Sequence, residues 1–317
     1  MLSQVRHVKS MGRLRILEIE SKSALSRVKG MSFRWGLNPY RGCQHGCWYC
    51  YARETHTYLK LGAGEDFERT IIVKRNVADR LRVELSSTKR EKSEIAVGTA
   101  TDPYQPVEGT YKLTRRCLEV LADRQWPFGL ITKNSMIVRD IDLLQDCSRR
   151  CARATVVISL PILDDAVSAA VEPRTAPPRR RLGTLRGLRD AGISAGINLA
   201  PIMPGLTDSE SQIREVFRAA VDNGAEFVGA AVLRLKPTVG RHFLERLGRR
   251  RPNLAKRYRR FYTGPNAPGA YQRRIMRIVE EARLDAGLDI RPMPSNAGDS
   301  GFAQLPLPLS AGRSARR

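Results

Sequence analysis

Short apolar runs rich in β-branched residues recur along the chain at Ile95–Ala100, Phe128–Thr132, Thr155–Leu160, Ile193–Ala200 and Phe227–Leu233. Runs of this length without polar alternation read as strands buried on both faces. Between them the apolar residues fall at helical spacing. Asn76 is placed to cap a helix carrying Val77, Leu81 and Leu85, and Thr114 one carrying Leu118 and Leu121. Pro177–Ala191 carries Leu182, Leu185 and Leu188 and is stopped by Gly192. Asp208 is placed to cap a helix with Ile213, Val216, Phe217 and Ala220, which stops at Asn223-Gly224. A first strand near Phe33–Asn38 completes six strand-then-helix units, the pattern of an α/β fold with a parallel sheet and right-handed crossovers. Six units suit a partial or full barrel, or a doubly wound sheet. In each case the site lies at the carboxyl ends of the strands.

The flanks differ. Residues 1–30 are polar and mixed and read as an N-terminal extension to a core of residues 31–235. After Leu235 the character changes: Arg246–Arg260 holds eight basic residues and no acidic one, and Ala270–Ala286 is again helical in pattern. Residues 236–309 read as a basic, mostly helical C-terminal extension, and 310–317 as a short basic tail whose composition favours disorder. The 317 residues are about twice the usual ~150 per domain, enough for one barrel with an appendage.

Hydrophobic residues make up 42% and charged residues 27%, which excludes a globally disordered chain. No apolar run approaches the ~18–20 residues of a membrane span. Met1–Arg13 carries charge without a following apolar stretch, so a cytoplasmic protein without membrane contact is expected. Lys plus Arg is 55 against 32 Asp plus Glu, a net charge of +23, which favours nucleic acid or another polyanionic partner. Of the 55, 44 are Arg, so a GC-rich genome is a second source of the same excess.

Three of the six cysteines, Cys43, Cys47 and Cys50, stand in a C-x3-C-x2-C spacing. Thiolates so close form a loop round a metal centre, with Gly42 and Gly46 permitting the turns. Thiolates select zinc or iron–sulfur. A [4Fe–4S] cube held by three cysteines keeps one iron position open, and open positions are where chemistry occurs. A Cys3His zinc site completed by His45 or His56 is the alternative. A disulfide framework does not suit a long chain of low cysteine density.

The segment NPYRGCQHGCWYCYAR at 38–53 and TDPYQP at 101–106 resemble the radical S-adenosylmethionine (radical SAM) superfamily, in its spore photoproduct lyase-related, DNA-repair-photolyase-like branch. The resemblance covers roughly Phe33 to Leu235. It implies a partial (β/α)6 barrel, a [4Fe–4S] cluster on Cys43, Cys47 and Cys50, and S-adenosylmethionine on the fourth iron. It also implies reductive cleavage to a 5′-deoxyadenosyl radical that abstracts hydrogen from a substrate, and an electron donor such as a flavodoxin or ferredoxin. The hard chemistry belongs to the cofactors, and the protein orients them.

Residue by residue, the lyases carry a lysine matching Lys133 that meets the cofactor carboxylate, and Ser159 matches a cofactor-contacting serine. A lysine at a buried strand end needs such an anionic partner. Arg174 stands where several superfamily members bind the carboxylate. The Gly-Gly-Glu that often binds the amino group is replaced by Gly98-Thr99-Ala100-Thr101-Asp102, leaving Thr99, Thr101 and Asp102 as substitutes by position. Tyr49 and Tyr51 match tyrosines near the cofactor and, for Tyr51, in a radical relay near the substrate. Ala200-Pro201 is placed to pack against adenine. One departure concerns the hydrogen-donor cysteine of the lyases, near the end of strand two. Val97-Gly98-Thr99-Ala100 contains none. Cys117 falls on an apolar helix face, and Cys147 and Cys151 are spaced i, i+4 near a helix end.

Three functions follow in order. The first is a radical SAM enzyme with nucleic acid as the favoured substrate. The second is the same enzyme class acting on a peptide or small molecule. The third is a zinc-stabilised nucleic-acid-binding protein without catalysis.

Overall fold

The computed structural model describes residues 5–29, 31, 33–86, 92–151 and 153–288. The strands are β1 (Val5–Met11), β2 (Leu14–Ile19), β3 (Leu25–Arg27), β4 (Trp35–Leu37), β5 (Tyr40–Arg41), β6 (Thr70–Lys74), β7 (Ile95–Val97), β8 (Phe128–Thr132), β9 (Ala154–Ser159), β10 (Ser194–Ile202) and β11 (Val228–Val232). The helices are α1 (Glu54–Thr57), α2 (Glu65–Arg69), α3 (Val77–Leu85), α4 (Glu108–Tyr111), α5 (Leu113–Asp123), α6 (Ile141–Arg150), α7 (Asp165–Val171), α8 (Pro178–Asp190), α9 (Glu210–Asp222), α10 (Pro237–Arg250), α11 (Pro252–Phe261) and α12 (Gly269–Asp285).

Seven strands form the principal sheet in the order β11-β10-β9-β8-β7-β4-β3. The six from β4 to β11 pair in parallel, and β3 runs antiparallel along β4. β11 and β3 occupy opposite edges and do not pair, so the barrel is partial. Its central strands β7, β8 and β9 are buried along their whole length, because helices cover the outer face and the barrel interior the other, while the edge strands β3 and β11 are partly open. Along β8, Phe128 and Leu130 face the helices, while Ile131 turns inward to Ala96 of β7 and Val157 of β9.

The helices expected at Asn76, Thr114, Pro177 and Asp208 are all present, but three of their caps differ. The Asn76 side chain makes no cap; its Oδ1 accepts from Ser21 N at 2.8 Å instead. Thr114 lies inside α5, where its hydroxyl donates to Pro103 O at 2.5 Å. Ser209, not Asp208, caps α9 in a capping box with Gln212. Asp208 is held by Gly205 N and Tyr271 OH. Asn76 and Asp208 are drawn away by partners distant in sequence, Ser21 and Tyr271.

The N-terminal segment carries strands. β1 and β2 pair antiparallel, β2 joins β6 in parallel, and β5 pairs with β6, making a separate four-stranded sheet. At the other end, α12 packs on α9, tied by Arg214 to Glu281 and Asp285. The pair α10–α11 packs on the cysteine loop, with Phe243, Leu247 and Tyr258 in one apolar cluster with Cys47, Trp48 and Tyr49. The tail at 310–317 and the preceding residues from 289 lie outside the described residues. No described helix is long and apolar enough to cross a membrane.

Candidate active site

The cysteine loop leaves β5 through two backbone conformations that only glycine adopts without strain. Gly42 has φ +76°, and a Cβ there would sit 2.6 Å from Thr70 O. Gly46 has φ +67°, and a Cβ would sit 2.3 Å from the Arg174 guanidinium. Between and after them the loop is held by its backbone. Cys43 N donates to Phe67 O at 2.9 Å, and Trp48 N to Val171 O at 2.9 Å. Thr101 Oγ1 and Gln105 Nε2 both donate to Gly42 O.

Arg53 organises the rest. It is fully buried and donates to Cys47 O and Gly46 O at 2.9 Å each, to Ala63 O and Gly64 O, and to Glu68 Oε1 at 2.6 Å. A buried guanidinium needs every donor satisfied, and here the acceptors are the carbonyls of the loop itself. Arg174 adds a second clasp, donating to Glu68 Oε2 at 2.5 Å and to Gln44 O.

The three thiols are free, and Cys43 and Cys47 are buried. Burial pushes the Cys50 thiol up to about 11 and the Cys47 thiol well above its ordinary value. Loading these sulfurs with metal therefore displaces protons. Among the described residues no three His, Cys, Asp or Glu side chains gather round one metal-ion position. His45 has Nδ1 3.3 Å from Asp102 Oδ2 and Nε2 3.3 Å from Asn134 Nδ2, and His56 Nε2 lies 3.1 Å from Thr70 O. His45 lines the cavity with the three thiols and interacts with Cys43, while its Nδ1 faces the Asp102 carboxylate; His56 does not line it. Three thiols spread round one wall of a cavity suit a larger iron–sulfur group.

That cavity opens at the carboxyl ends of the parallel strands. Its walls bring together Cys43, Cys47, Cys50, Tyr49, Tyr51, Thr99, Thr101, Asp102, Lys133 and Ser159. Arg174 is absent from the lining, since its guanidinium is taken by Glu68 and Gln44 O. Ala200 and Pro201 line the wall opposite the loop, together with Asn198, which sequence reasoning missed.

Several lining residues brace one another. Asp102 Oδ1 accepts from Thr132 Oγ1 at 2.7 Å, and its Oδ2 accepts from Lys133 N at 2.8 Å, joining the ends of β7 and β8. Asn38 holds Thr99 and Ala100 through its amide at 3.1 and 2.7 Å. Tyr51 OH donates to Thr99 O. Lys133 Nζ donates to Ser159 Oγ, lies 3.4 Å from Glu172 Oε1 and stands 5.7 Å over the Tyr49 ring.

Glu172 and Arg181 form a buried layer beneath this wall. Tyr49 OH donates to Glu172 Oε1, and Arg181 donates to Glu172 Oε2 at 2.5 Å and to Ser159 O at 3.0 Å. Burial works against the Glu172 charge, but Arg181 and Lys133 hold its carboxyl down at about 2. The sequence pattern singles out neither Arg181 nor Glu172. An apolar stripe gives no signal for an ion pair that turns inward.

A family model described as the Radical SAM superfamily matches residues 37–218. An uncharacterized protein of Mycobacterium tuberculosis H37Rv is 36% identical over 285 residues, 87% of this chain and 83% of the relative. An uncharacterized protein of Methanocaldococcus jannaschii is 28% identical over 206 residues, 64% of this chain and 73% of the relative. A solved spore photoproduct lyase with bound AdoMet and dinucleoside spore photoproduct superposes with a TM-score of 0.65 at 16% identity, over 90% of this chain and 85% of that one.

Proposed function

The chain belongs to the radical SAM superfamily and is an enzyme, and from that premise we propose that it binds a [4Fe–4S] cluster on Cys43, Cys47 and Cys50 and S-adenosylmethionine in the adjoining cavity. When bound and reduced, the cluster supplies the electron that splits the cofactor's sulfonium and leaves a radical able to take hydrogen from a substrate. The observation that carries this reading is the cavity itself, with three free thiols on one wall and the Lys133–Ser159 pair at the strand ends.

The residues divide the work. Lys133 presents a cation to the cofactor carboxylate, and Glu172 with Arg181 fixes its position. Thr99, Thr101 and Asp102 form the polar rim by the loop, where the amino group is held. Asp102 acts through Thr132 and Lys133 N, keeping two strand ends in register. Tyr49 closes the cavity beside Lys133. Pro201 and Ala200 give the adenine a flat apolar wall. Tyr51, anchored on Thr99 O, lines the cavity and is the residue assigned to radical relay. Arg174 serves by clasping the loop through Glu68 and Gln44.

Nucleic acid is the proposed substrate class, supported by the net charge of +23. Besides the three loop cysteines no thiol lines the cavity, so hydrogen return by a thiol is not part of the proposal. The test is anaerobic reconstitution with iron and sulfide. A brown protein with matched iron and sulfide that releases 5′-deoxyadenosine from S-adenosylmethionine under dithionite is expected. A colourless protein holding one zinc would overturn the reading. Mass spectrometry of nucleic acid from a deletion strain against its parent tests the substrate class.

A further inference from the structure

The outer face of α10 and α11 is strongly basic. Arg249, Arg250, Arg251, Arg257, Arg259 and Arg260 are all exposed. The one acidic residue in these two helices, Glu245, is tied to Arg249 at 2.6 Å. Among the described residues Arg251, Arg257, Arg259 and Arg260 meet no carboxylate. A solvated face of this density repels itself unless something anionic covers it.

The face lies directly over the back of the cysteine loop. The Arg250 guanidinium stands 5.9 Å from the centroid of the Trp48 ring. Trp48 follows Cys47 in the chain, is only 5% exposed, and is packed in with Leu247, Phe243 and Tyr258. One side chain thus separates the surface from an aromatic ring bonded next to a cluster ligand. Neither Trp48 nor any residue of α10 or α11 lines the cavity. Lys236 Nζ on Glu54 Oε2 at 2.9 Å and Arg246 on Glu65 at 3.9 Å tie the start and middle of α10 to the segment that follows the loop.

We propose that this face is the docking surface of a small acidic protein that carries one electron, and that the electron enters across Trp48. The inference rests on the cluster reading given above. The cavity is occupied by cofactor and substrate during a turnover, so the reductant needs a second approach, and this face lies behind the loop and outside the cavity. The carrier is oxidised by one electron and the group on the cysteines is reduced by one. No bond forms or breaks at the face. Rim charges of this kind set association rate and its salt dependence.

The experiment uses the reconstituted holoenzyme and a triple variant, Arg251→Glu, Arg257→Glu and Arg260→Glu. Reduced flavodoxin and reduced ferredoxin are the probes, with dithionite as the small-molecule control. Association is measured by titration at rising salt, and reduction by loss of the cluster's visible absorbance. The parent is expected to bind at least one carrier with salt-weakened affinity. The variant is expected to lose tenfold or more in both binding and carrier-driven reduction, with dithionite reduction and dithionite-driven cofactor cleavage unchanged. Equal carrier-driven rates in parent and variant would overturn the proposal. So would a parent that binds neither carrier, or a variant that loses only oligonucleotide binding. Failure of dithionite to reduce the parent would sink the cluster reading instead.

Discussion

At the scale of single residues, the site separates side chains that line the cavity from side chains that brace them. Cys43→Ala, Cys47→Ala and Cys50→Ala each remove one of the three proposed ligands, and each is expected to lose most of the reconstituted iron. Cys147→Ser and Cys151→Ser are expected to keep it, because those thiols point at Leu118 O and Leu121 O between helices. Iron assay after desalting decides this, and full iron in Cys47→Ala contradicts the ligand set. Lys133→Ala removes a charge-assisted contact of roughly 1.5–3 kcal/mol, or about one to two decades in the dissociation constant for S-adenosylmethionine. Equilibrium binding to the reconstituted protein reads that change, and unaltered affinity would detach Lys133 from the carboxylate. Lys74 gives a pH signature. Burial, aided by Arg41, lowers its pKa to about 8, while its amine donates to Asn38 O at 2.7 Å. Between pH 8 and its ordinary 10.5 the unfolded chain binds more protons than the folded one, so this group makes stability rise with pH across that window. Relative to Lys74→Met, the parent is expected to gain roughly 3 kcal/mol between pH 8 and 10.5. Denaturant unfolding at the two pH values measures it, and a gap that stays constant contradicts the assignment. The three cysteines were legible as one wall of the cavity because their spacing is local in sequence. The Glu172–Arg181 layer was not, since its meaning depends on Lys133, which follows β8 and is distant in sequence.

At the scale of elements, the six strand-then-helix units were legible for a physical reason. A strand buried on both faces must be apolar throughout, and each covering helix carries one apolar stripe, so both leave their period in the sequence. β1 leaves no such trace. His7 to Ser10 are all exposed along it, and an edge strand of polar residues resembles a loop. β6 is only five residues long and runs into α3, so nothing local says it belongs to a second sheet. The caps failed because the competing partners, Ser21 for Asn76 and Tyr271 for Asp208, are brought in by tertiary contacts. The α10–α11 pair has a role its sequence does not announce, as the cover of the cysteine loop. Leu247 is 1% exposed at that junction. Leu247→Ala is expected to cost about 2–5 kcal/mol and to let a chelator strip the reconstituted iron several-fold faster, with the far-ultraviolet circular dichroism retained. Thermal melts and chelation kinetics check both, and unchanged chelation would separate the helices from the loop.

At the scale of the whole molecule, charge and order of synthesis matter more than any one contact. A net charge of +23 repels itself in the folded state. Added sodium chloride between about 50 and 500 mM screens that repulsion and is expected to raise the melting temperature; a falling midpoint would show that the ion pairs outweigh it. The loop and its cover stand far apart along the chain, with Glu54 and Lys236 182 residues from one another. At ~5–20 residues per second, a ribosome needs roughly ten to forty seconds to make that stretch. Throughout that interval the cysteine loop has been made and the helices that seal its back have not. Each molecule therefore begins life with these thiols open to metal donors and to oxidants alike, and that interval closes when α10 and α11 fold over the loop.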